Sequence, residues 1–141
     1  MAAVGGFGVA SSGRHHRLSD ITVWNLSSMS TETYTVDSNH LLSRMCHTTV
    51  PLGDSAMLGS PAVGNSSLVV VGGRRSPTSP VCEHVVLVNF SDANSVACRA
   101  VLCSGDVPDP CWRHTIVRTV INGKLISFII INIKNMSCQS P

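Results

Sequence analysis

The sequence repeats itself at a spacing of 67 residues. The glycine pair Gly5-Gly6 recurs at Gly72-Gly73 (72 − 5 = 67), and His47-Thr48 recurs at His114-Thr115 (114 − 47 = 67). A fixed period built from short strands is typical of a propeller or a solenoid, in which each unit buries its apolar surface against its neighbours. The repeat therefore favours a tandem arrangement of similar units.

Strand signals dominate the rest of the chain. Apolar, β-branched runs are bounded by Gly, Pro, Ser or Asn, and the run at 21–26 matches the run at 85–90 at an offset of 64. No extended window places apolar residues at helical spacing behind a capping residue, so we predict an all-β fold. The candidate strands cover residues 2–4, 21–26, 33–36, 47–50, 68–71, 85–90, 96–102, 114–120 and 125–133.

The middle unit of the repeat contains four of these strands, at 47–50, 68–71, 85–90 and 96–102. Four antiparallel strands make one blade of a β-propeller. The segment before this unit supplies only the later strands of a blade, and the segment after it supplies only the earlier ones. This predicts one whole four-stranded blade and parts of two neighbours, with open strand edges whose N–H and C=O groups invite foreign strands.

Composition sets weak limits on function. Charged residues make up 13% of the 141 residues and the net charge is +2, short of the basic face of a dedicated nucleic-acid module, although an RNA partner is not excluded. The N-terminus lacks the pattern of a secretory signal, and the apolar stretch at 128–131 is far shorter than the roughly 18 residues of a membrane span. We expect a cytoplasmic protein with no membrane contact, whose six cysteines are reduced thiols.

Each glycine pair closes a strand where the chain must turn sharply, and a sharp turn favours glycine because it adopts positive φ without steric cost. A phosphate-binding loop at residues 5–8 is the alternative. The G-x-G-x-x-G spacing, a following P-loop lysine and a following helix pattern are all missing from this segment. We therefore expect Gly5, Gly6, Gly72 and Gly73 to be structural anchors of the repeat.

Five short motifs, taken together, resemble one family. They are, in order, Gly5-Gly6-Phe7-Gly8, Gly13-Arg14-His15, Cys46-His47-Thr48, Gly72-Gly73-Arg74 leading into Ser76-Pro77-Thr78-Ser79-Pro80, and Cys111-Trp112-Arg113-His114. Over residues 1–127 their order and most spacings resemble the kelch-repeat region of the tRNA wybutosine-synthesising protein 4 family, also called leucine carboxyl methyltransferase 2. The last two motifs are the more specific part of the resemblance.

The resemblance implies a kelch-type propeller within a parent protein that has an N-terminal S-adenosylmethionine-dependent methyltransferase domain. The family methylates a carboxyl group on the modified guanosine beside the anticodon of phenylalanine tRNA and then methoxycarbonylates its amine. This chain has no βαβ unit with a glycine-rich loop that could bind the methyl donor. We therefore expect the non-catalytic propeller part, without a catalytic residue, cofactor or metal of its own; S-adenosylmethionine would belong to the parent protein.

The chain departs from the family pattern in two places. Residues 58–67 look like an extra loop, and the glycine pair expected after Cys-Trp-Arg-His is replaced by Phe-Ile-Ile-Ile-Asn-Ile at 128–133. We therefore divide the chain into a partial kelch propeller at 1–127 and a divergent C-terminal tail at 128–141.

Four arginines are candidates for partner binding. Arg74 and Arg75 follow the second glycine pair, and Arg14 and Arg17 follow the first. Propellers bind through such loops, so we expect a cationic rim that faces a phenylalanine tRNA backbone or an acidic protein partner. The alternative is an ordinary solvated loop.

His47, His114 and Trp112 complete the set of structural repeat anchors. Because active sites seldom recur in every unit, the repetition of the histidine favours packing between units over catalysis. We also expect Trp24 and Trp112 to pack, since aromatic residues are too few for a base-stacking platform.

A zinc site is an alternative interpretation of the Cys and His residues. Three thiolates and one imidazole suit tetrahedral zinc, but the tight C-x₂-C spacing is missing. Cys82-Glu83-His84 is a weaker candidate still. The main set would be Cys98, Cys103, Cys111 and His114.

A protein-interaction module with no enzymatic role is the second functional hypothesis. Kelch propellers also recruit substrates to ubiquitin ligases or bind cytoskeletal proteins. The upstream domain would discriminate, because a methyltransferase domain supports the first hypothesis and a BTB-type domain the second. A copper oxidase of the galactose-oxidase type is set aside because it needs several tyrosine ligands and Tyr34 is the only tyrosine.

Overall fold

The chain folds mostly into antiparallel β-structure. A computed structural model describes residues 1–9, 12–36, 39–52, 66–90, 96–107, 109–121 and 124–131. Its elements are β1 (Ala2–Val9), β2 (His15–Asn25), β3 (Ser30–Tyr34), α1 (Asn39–Leu42), β4 (Thr48–Pro51), β5 (Ser66–Val71), β6 (Val85–Phe90), β7 (Val96–Val101), β8 (Thr115–Ile121) and β9 (Lys124–Ile131).

The strands form three sheets in chain order. The first sheet has the order β1-β2-β3, the second β4-β5-β6-β7 and the third β8-β9, and every neighbouring pair is antiparallel. The prediction of β-structure built from sequential antiparallel sheets is thereby confirmed. The helix α1, with four residues, lies between the first two sheets in the chain.

The second sheet is apolar on both faces, and each face packs against a different neighbour. Side chains alternate along a strand, so Val70, Val86 and Val88 face one core cluster together with Val4 and Ile21 of the first sheet. The other face presents residues such as Val69 and Val71, which pack with Val50 and with Ile116 of β8. Buried apolar residues on both faces explain why β5 and β6 are valine-rich along their length rather than alternating with polar residues.

The glycine pairs mark the points where neighbouring sheets are joined. All four glycines have positive φ, from 57° at Gly5 to 117° at Gly6. The Gly6 N–H donates to the Arg44 carbonyl at 3.2 Å, and the Gly73 N–H donates to the Cys111 carbonyl at 2.8 Å. These two bonds lie one 67-residue repeat apart, so the repeat seen in the sequence is also a repeat of backbone contacts.

Several predicted boundaries need correction. Strand β1 continues to Val9 rather than ending at residue 4, and β2 begins at His15, six residues before the predicted start at 21. Strand β3 covers Ser30–Tyr34 instead of residues 33–36, and α1 was not predicted. The alternation of apolar and polar residues does not reveal the full length of these strands, because β1 is glycine-rich and the first part of β2 is mostly polar. Their pairing is set by the register of the two antiparallel strands.

Two of the predicted segments lie partly outside the described residues. Of the extra loop at 58–67, only Ser66 and Ser67 are described, and both belong to β5. Strand β9 continues across the proposed boundary at 127/128 and ends at Ile131, while residues 132–141 lie outside the described part. Within the described ranges α1 is the only helix, and with four residues it is too short to cross a membrane.

The crossing at the second glycine pair can be tested with a matched pair of substitutions. A Cβ atom on Gly72 would overlap the Cys111 carbonyl oxygen, whereas one on Gly13 would meet nothing within 4 Å, and both residues have positive φ. We expect Gly13→Ala to lower the free energy of unfolding by about 1 kcal/mol through backbone strain, and Gly72→Ala by about 3 kcal/mol or more. Urea titration measures both. Equal decreases would show that the close approach at Gly72 contributes nothing.

Candidate partner-binding surface

The two repeat histidines lie at equivalent junctions between sheets. His114 is 5% exposed and neither ring nitrogen has a hydrogen-bond partner, while Nδ1 of His47 is also buried and unpartnered. The Thr48 hydroxyl donates to the His114 carbonyl at 2.6 Å, which joins β4 to the start of β8. These contacts support the interpretation of His47 and His114 as packing residues of the repeat.

Burial favours the neutral form of both imidazoles. It lowers the pKa of His47 below the ordinary value of 6.5, and the nearby Arg44 charge lowers it further, against an opposing effect of the Val4 carbonyl. Burial likewise lowers the pKa of His114. The Val71 carbonyl opposes this shift, although its geometry falls short of a hydrogen bond. Val4 and Val71 are one repeat apart, as are the two histidines.

The residue before each histidine also repeats its conformation. Cys46 has φ 58° and Arg113 has φ 56°, the left-handed region that side-chain-bearing residues rarely occupy. The Arg113 N–H donates to the Cys46 carbonyl at 2.9 Å. The two left-handed residues are therefore bonded directly to each other across the junction of the second and third sheets.

Arg44 is a fully buried cation that joins α1 to the segments next to the second sheet. Its Nε donates to the Leu41 carbonyl at 2.7 Å, and its Nη1 donates to the carbonyls of Gly72 and Glu83, each at 2.9 Å. Burial lowers the pKa of Arg44 to about 10, against the attraction of the Glu83 carboxylate. The guanidinium therefore remains charged at neutral pH and satisfies three backbone acceptors.

The loop at residues 74–80, called here the arginine loop, is tied down by its own contacts. The Met45 and Arg74 backbones exchange two hydrogen bonds of 3.0 Å. The Ser76 hydroxyl accepts from the N–H groups of Thr78 and Ser79, at 3.3 and 2.9 Å. This pattern is a Ser/Thr turn, which fixes the loop without a partner.

The two arginines of this loop are engaged within the chain. The Arg74 guanidinium lies 6.0 Å from the centroid of the Trp112 ring and donates from Nη1 to the Pro77 carbonyl at 3.1 Å. Arg75 forms an ion pair of 2.9 Å with Glu83. A backbone hydrogen bond, together with the charges of Arg75 and Arg44, lowers the pKa of Glu83. Part of the positive charge expected on the rim is therefore neutralised by Glu83.

Arg17 belongs to the first sheet, and Arg14 lies next to it in the chain. Arg14 is exposed just before β2, and Arg17 lies on β2 opposite Phe7, with a buried Nε that has no hydrogen-bond partner. In the described ranges, no hydrogen bond, ion pair or ring contact joins either residue to Arg74 or Arg75.

The described residues offer little chemistry of other kinds. No group of three or more His, Cys, Asp and Glu side chains among them is placed to hold a metal ion, so the alternative set of Cys98, Cys103, Cys111 and His114 is not brought together. Burial raises the pKa of the Cys98 thiol to about 11, which disfavours a reactive thiolate. A cavity of about 130 Å³ beside Gly72 and His84 is smaller than the roughly 300 Å³ of small-molecule sites.

Arg44 and the role of Glu83 were not predicted from the sequence. A buried arginine cannot be told from a solvated one by composition or spacing, because its burial depends on α1 and on two sheets that meet only in the folded chain. Glu83 appeared only as part of a weak metal candidate. Its ion pair with Arg75 and its backbone contact with Arg44 require the hairpin-like return of the chain after the arginine loop.

Comparison with family models, with curated proteins and with solved structures finds nothing that matches this chain. The interpretation of the surface therefore rests on its own residues and geometry.

Arg44 provides a direct test of how the sheets are joined. We expect Arg44→Met to lower the free energy of unfolding by about 3 kcal/mol, because the carbonyls of Leu41, Gly72 and Glu83 would be left without their buried donor. The matched control is Arg99→Met, since Arg99 is exposed on β7, and surface substitutions usually change stability by less than about 0.5 kcal/mol. Chemical unfolding of the two variants gives the comparison. A decrease as small as that of the control would contradict the role of Arg44.

The buried histidines predict a decrease of stability in acid. Their folded-state pKa values lie below the unfolded value of 6.5, so below that pH the unfolded chain takes up protons that the folded chain does not. The free energy of unfolding should therefore change little between about pH 7.5 and 8 and fall as the pH drops below about 6.5, by at most about 1.4 kcal/mol per pH unit for each histidine.

The control separates these two histidines from the others. The double variant His47→Gln and His114→Gln should flatten the dependence between pH 6.5 and 5, while His16→Gln, at an exposed position, should leave it unchanged. Urea unfolding at each pH measures the slope. A slope that persists in the double variant would assign it to other groups.

Proposed function

We propose that this chain is part of a kelch-type β-propeller and forms the non-catalytic propeller portion of a tRNA wybutosine-synthesising methyltransferase. The parent enzyme would carry out S-adenosylmethionine-dependent carboxyl methylation and methoxycarbonylation of the modified guanosine of phenylalanine tRNA. In this proposal the propeller positions the tRNA for a catalytic domain elsewhere in the parent protein, in the cytoplasm.

One observation carries the proposal. The two most specific motifs of the resemblance, the Gly-Gly-Arg run with its Ser-Pro repeats and the Cys-Trp-Arg-His run, meet in space. Arg74 of the first packs over Trp112 of the second, and the Gly73 N–H donates to the Cys111 carbonyl. Residues far apart in the sequence are thus in contact, as expected if the two motifs form one structural unit at the junction of two sheets.

The sheet architecture agrees with this proposal at the level of the repeat. The second sheet has four antiparallel strands in sequential order, the number found in one propeller blade. The first sheet matches its last three strands and the third sheet matches its first two. Buried apolar residues lie on both faces of the second sheet, as between successive blades.

The described residues do not fit S-adenosylmethionine. Their sheets are antiparallel, without the βαβ unit whose helix N-terminus and glycine-rich loop hold the donor in a Rossmann-like domain. No chemical step is therefore assigned to this chain.

A protein-interaction module without an enzymatic role is the second candidate, and the arginine loop supplies the observation that favours it. Arg75 is paired with Glu83 and Arg74 lies on Trp112, so less positive charge is available for a phosphate backbone than the sequence alone indicates. An acidic protein surface would need fewer free cations than a tRNA.

Binding to phenylalanine tRNA at several salt concentrations distinguishes the two candidates. A triple variant, Arg14→Gln, Arg17→Gln and Arg75→Gln, removes three charges while leaving the Arg74–Trp112 packing intact. If these arginines bind phosphates, the slope of log Kd against log salt should decrease by about 1 for each phosphate that is no longer neutralised. The control Arg99→Gln, on the outer strand β7, should leave the slope unchanged.

Two results would contradict the tRNA role. The first is a slope in the triple variant equal to that of the unmodified chain. The second is absence of measurable tRNA binding by the unmodified chain at low salt, which would favour the interaction module.

A further inference from the structure

The arginine loop contains two Ser-Pro dipeptides, Ser76-Pro77 and Ser79-Pro80. A serine directly ahead of proline is the acceptor that proline-directed protein kinases modify. Proline fixes its own φ and pushes the residue before it towards an extended backbone, the shape in which a kinase groove takes its substrate. The sequence leaves the two serines equivalent, and the structure separates them. Two further Ser-Pro dipeptides, at Ser60 and Ser140, lie outside the described residues.

Ser76 uses its hydroxyl to hold the loop together. The Ser76 Oγ accepts from the N–H groups of Thr78 and Ser79, at 3.3 and 2.9 Å. The residue is also partly buried. Attack by this oxygen on a phosphorus atom would therefore require the turn to open first.

Ser79 has the opposite arrangement, with an engaged backbone and a free hydroxyl. Its N–H donates to the Ser76 Oγ at 2.9 Å, and its carbonyl accepts from the Arg75 N–H, also at 2.9 Å. The residue is exposed, and among the described residues its hydroxyl has no hydrogen-bond partner. The loop thus fixes the backbone of Ser79 and leaves its side chain open to solvent.

Arg75 lies directly across the loop from Ser79. Arg74 and Pro80 form an antiparallel bridge, and the same register places Arg75 opposite Ser79, in agreement with the hydrogen bond between their backbones. Residues directly opposite each other in an antiparallel pair carry their side chains on the same face. A group added to the Ser79 oxygen would therefore lie beside the Arg75 guanidinium.

Arg75 has hydrogen-bond donors left for such a group. Within the described residues it donates only from Nη2, to the Glu83 carboxylate at 2.9 Å and to the His40 carbonyl at 3.4 Å. Its side chain is 41% exposed. A guanidinium has five donors in a planar fork that suits phosphate oxygens, so Nε and Nη1 are available for a second anion.

We propose that Ser79 is a phosphorylation site for a proline-directed kinase and that Arg75 holds the phosphate. The Ser79 Oγ attacks the γ-phosphorus of ATP and forms the new O–P bond, while the bond from that phosphorus to the β,γ-bridging oxygen breaks and ADP leaves. The hydroxyl proton passes to the catalytic aspartate of the kinase. Arg75 then lies between two anions, the phosphate and Glu83.

The modification would cancel the positive charge of the arginine loop. Arg74 and Arg75 are the two charged residues at positions 74–80, and a phosphoserine adds about 1.5 to 2 negative charges at neutral pH. The attraction of the loop for any anionic partner would therefore fall. The inference rests on the geometry of the loop and does not depend on the tRNA role.

Residue-resolved phosphorylation rates test the site. The full chain is incubated with ATP and a mitogen-activated protein kinase, and phosphate on each serine is followed by mass spectrometry. A synthetic peptide of residues 70–84 gives the intrinsic preference of the kinase when no turn protects Ser76. The ratio of the Ser79 rate to the Ser76 rate should be larger in the full chain than in the peptide by on the order of tenfold, because Ser76 must first lose its hydrogen bonds.

Phosphorus NMR tests the contact with Arg75. The phosphoserine resonance is titrated in the full chain and identified by its absence from the Ser79→Ala variant. Its midpoint should lie at a lower pH than in the Arg75→Gln variant, by about 0.5 pH unit or more, since a neighbouring cation favours the dianion. Glu83, His40 and Arg74 are the same in both proteins. The control Arg99→Gln, on β7, should leave the midpoint unchanged.

Three results would overturn the proposal. The first is an absence of phosphate on Ser79 of the full chain, whichever other serine is modified. The second is a ratio of the two rates no larger in the full chain than in the peptide. The third is an equal midpoint with and without Arg75, which would remove the guanidinium from the site. None of these measurements involves tRNA, so this proposal and the proposed function fail independently.

Discussion

The close backbone approach at each glycine pair is the contact on which the arrangement of the sheets depends. At both repeats a glycine N–H donates to a carbonyl just ahead of the next histidine, and the preceding glycine is so close to the neighbouring chain that a Cβ atom would overlap a carbonyl oxygen. Bringing together segments that are far apart in sequence costs conformational entropy, so such a hydrogen bond needs packing on either side to stabilise it. The valine clusters of the second sheet provide that packing on both faces.

Arg44 adds an electrostatic constraint at one of these junctions and not at the other. Its counterpart one repeat later is Cys111, which is also buried but has a short thiol side chain in place of a guanidinium. The guanidinium satisfies carbonyls from α1, from Gly72 and from Glu83, so three segments are held by one side chain. Moving a charge from water into the protein is costly, and the three hydrogen bonds to backbone carbonyls offset part of that cost. The two junctions thus have the same backbone hydrogen bond from a glycine, but the residue that accepts it has a buried guanidinium at the first junction and a buried thiol at the second.

The parts of this structure that sequence could predict are those governed by a local pattern. Strand β6 was predicted with its observed bounds, Val85–Phe90, because a valine-rich strand buried on both faces reads as a continuous apolar run. The glycine pairs were found because positive φ strongly favours that residue. The beginning of β2 was missed because His15 to Asp20 is polar, and its place in the sheet comes from pairing with β1. For the candidate surface, the sequence shows the arginines next to the glycine pairs, but it does not show the ion pair of Arg75 with Glu83, which depends on a tertiary contact.

The left-handed conformations of Cys46 and Arg113 show the limit of residue-type arguments. Glycine would adopt this backbone without strain, yet neither position has glycine, and each costs on the order of 1 kcal/mol in conformational energy. Both residues are followed directly by the repeat histidine, and the Arg113 N–H bonds to the Cys46 carbonyl. The turn they make directs His47 and His114 into the junctions, where burial lowers the pKa of both side chains. The geometry of the junction therefore selects the backbone conformation and does not depend on the side chains at these two positions. They differ in their surroundings, since the Cys46 thiol is partly buried and the Arg113 side chain is exposed.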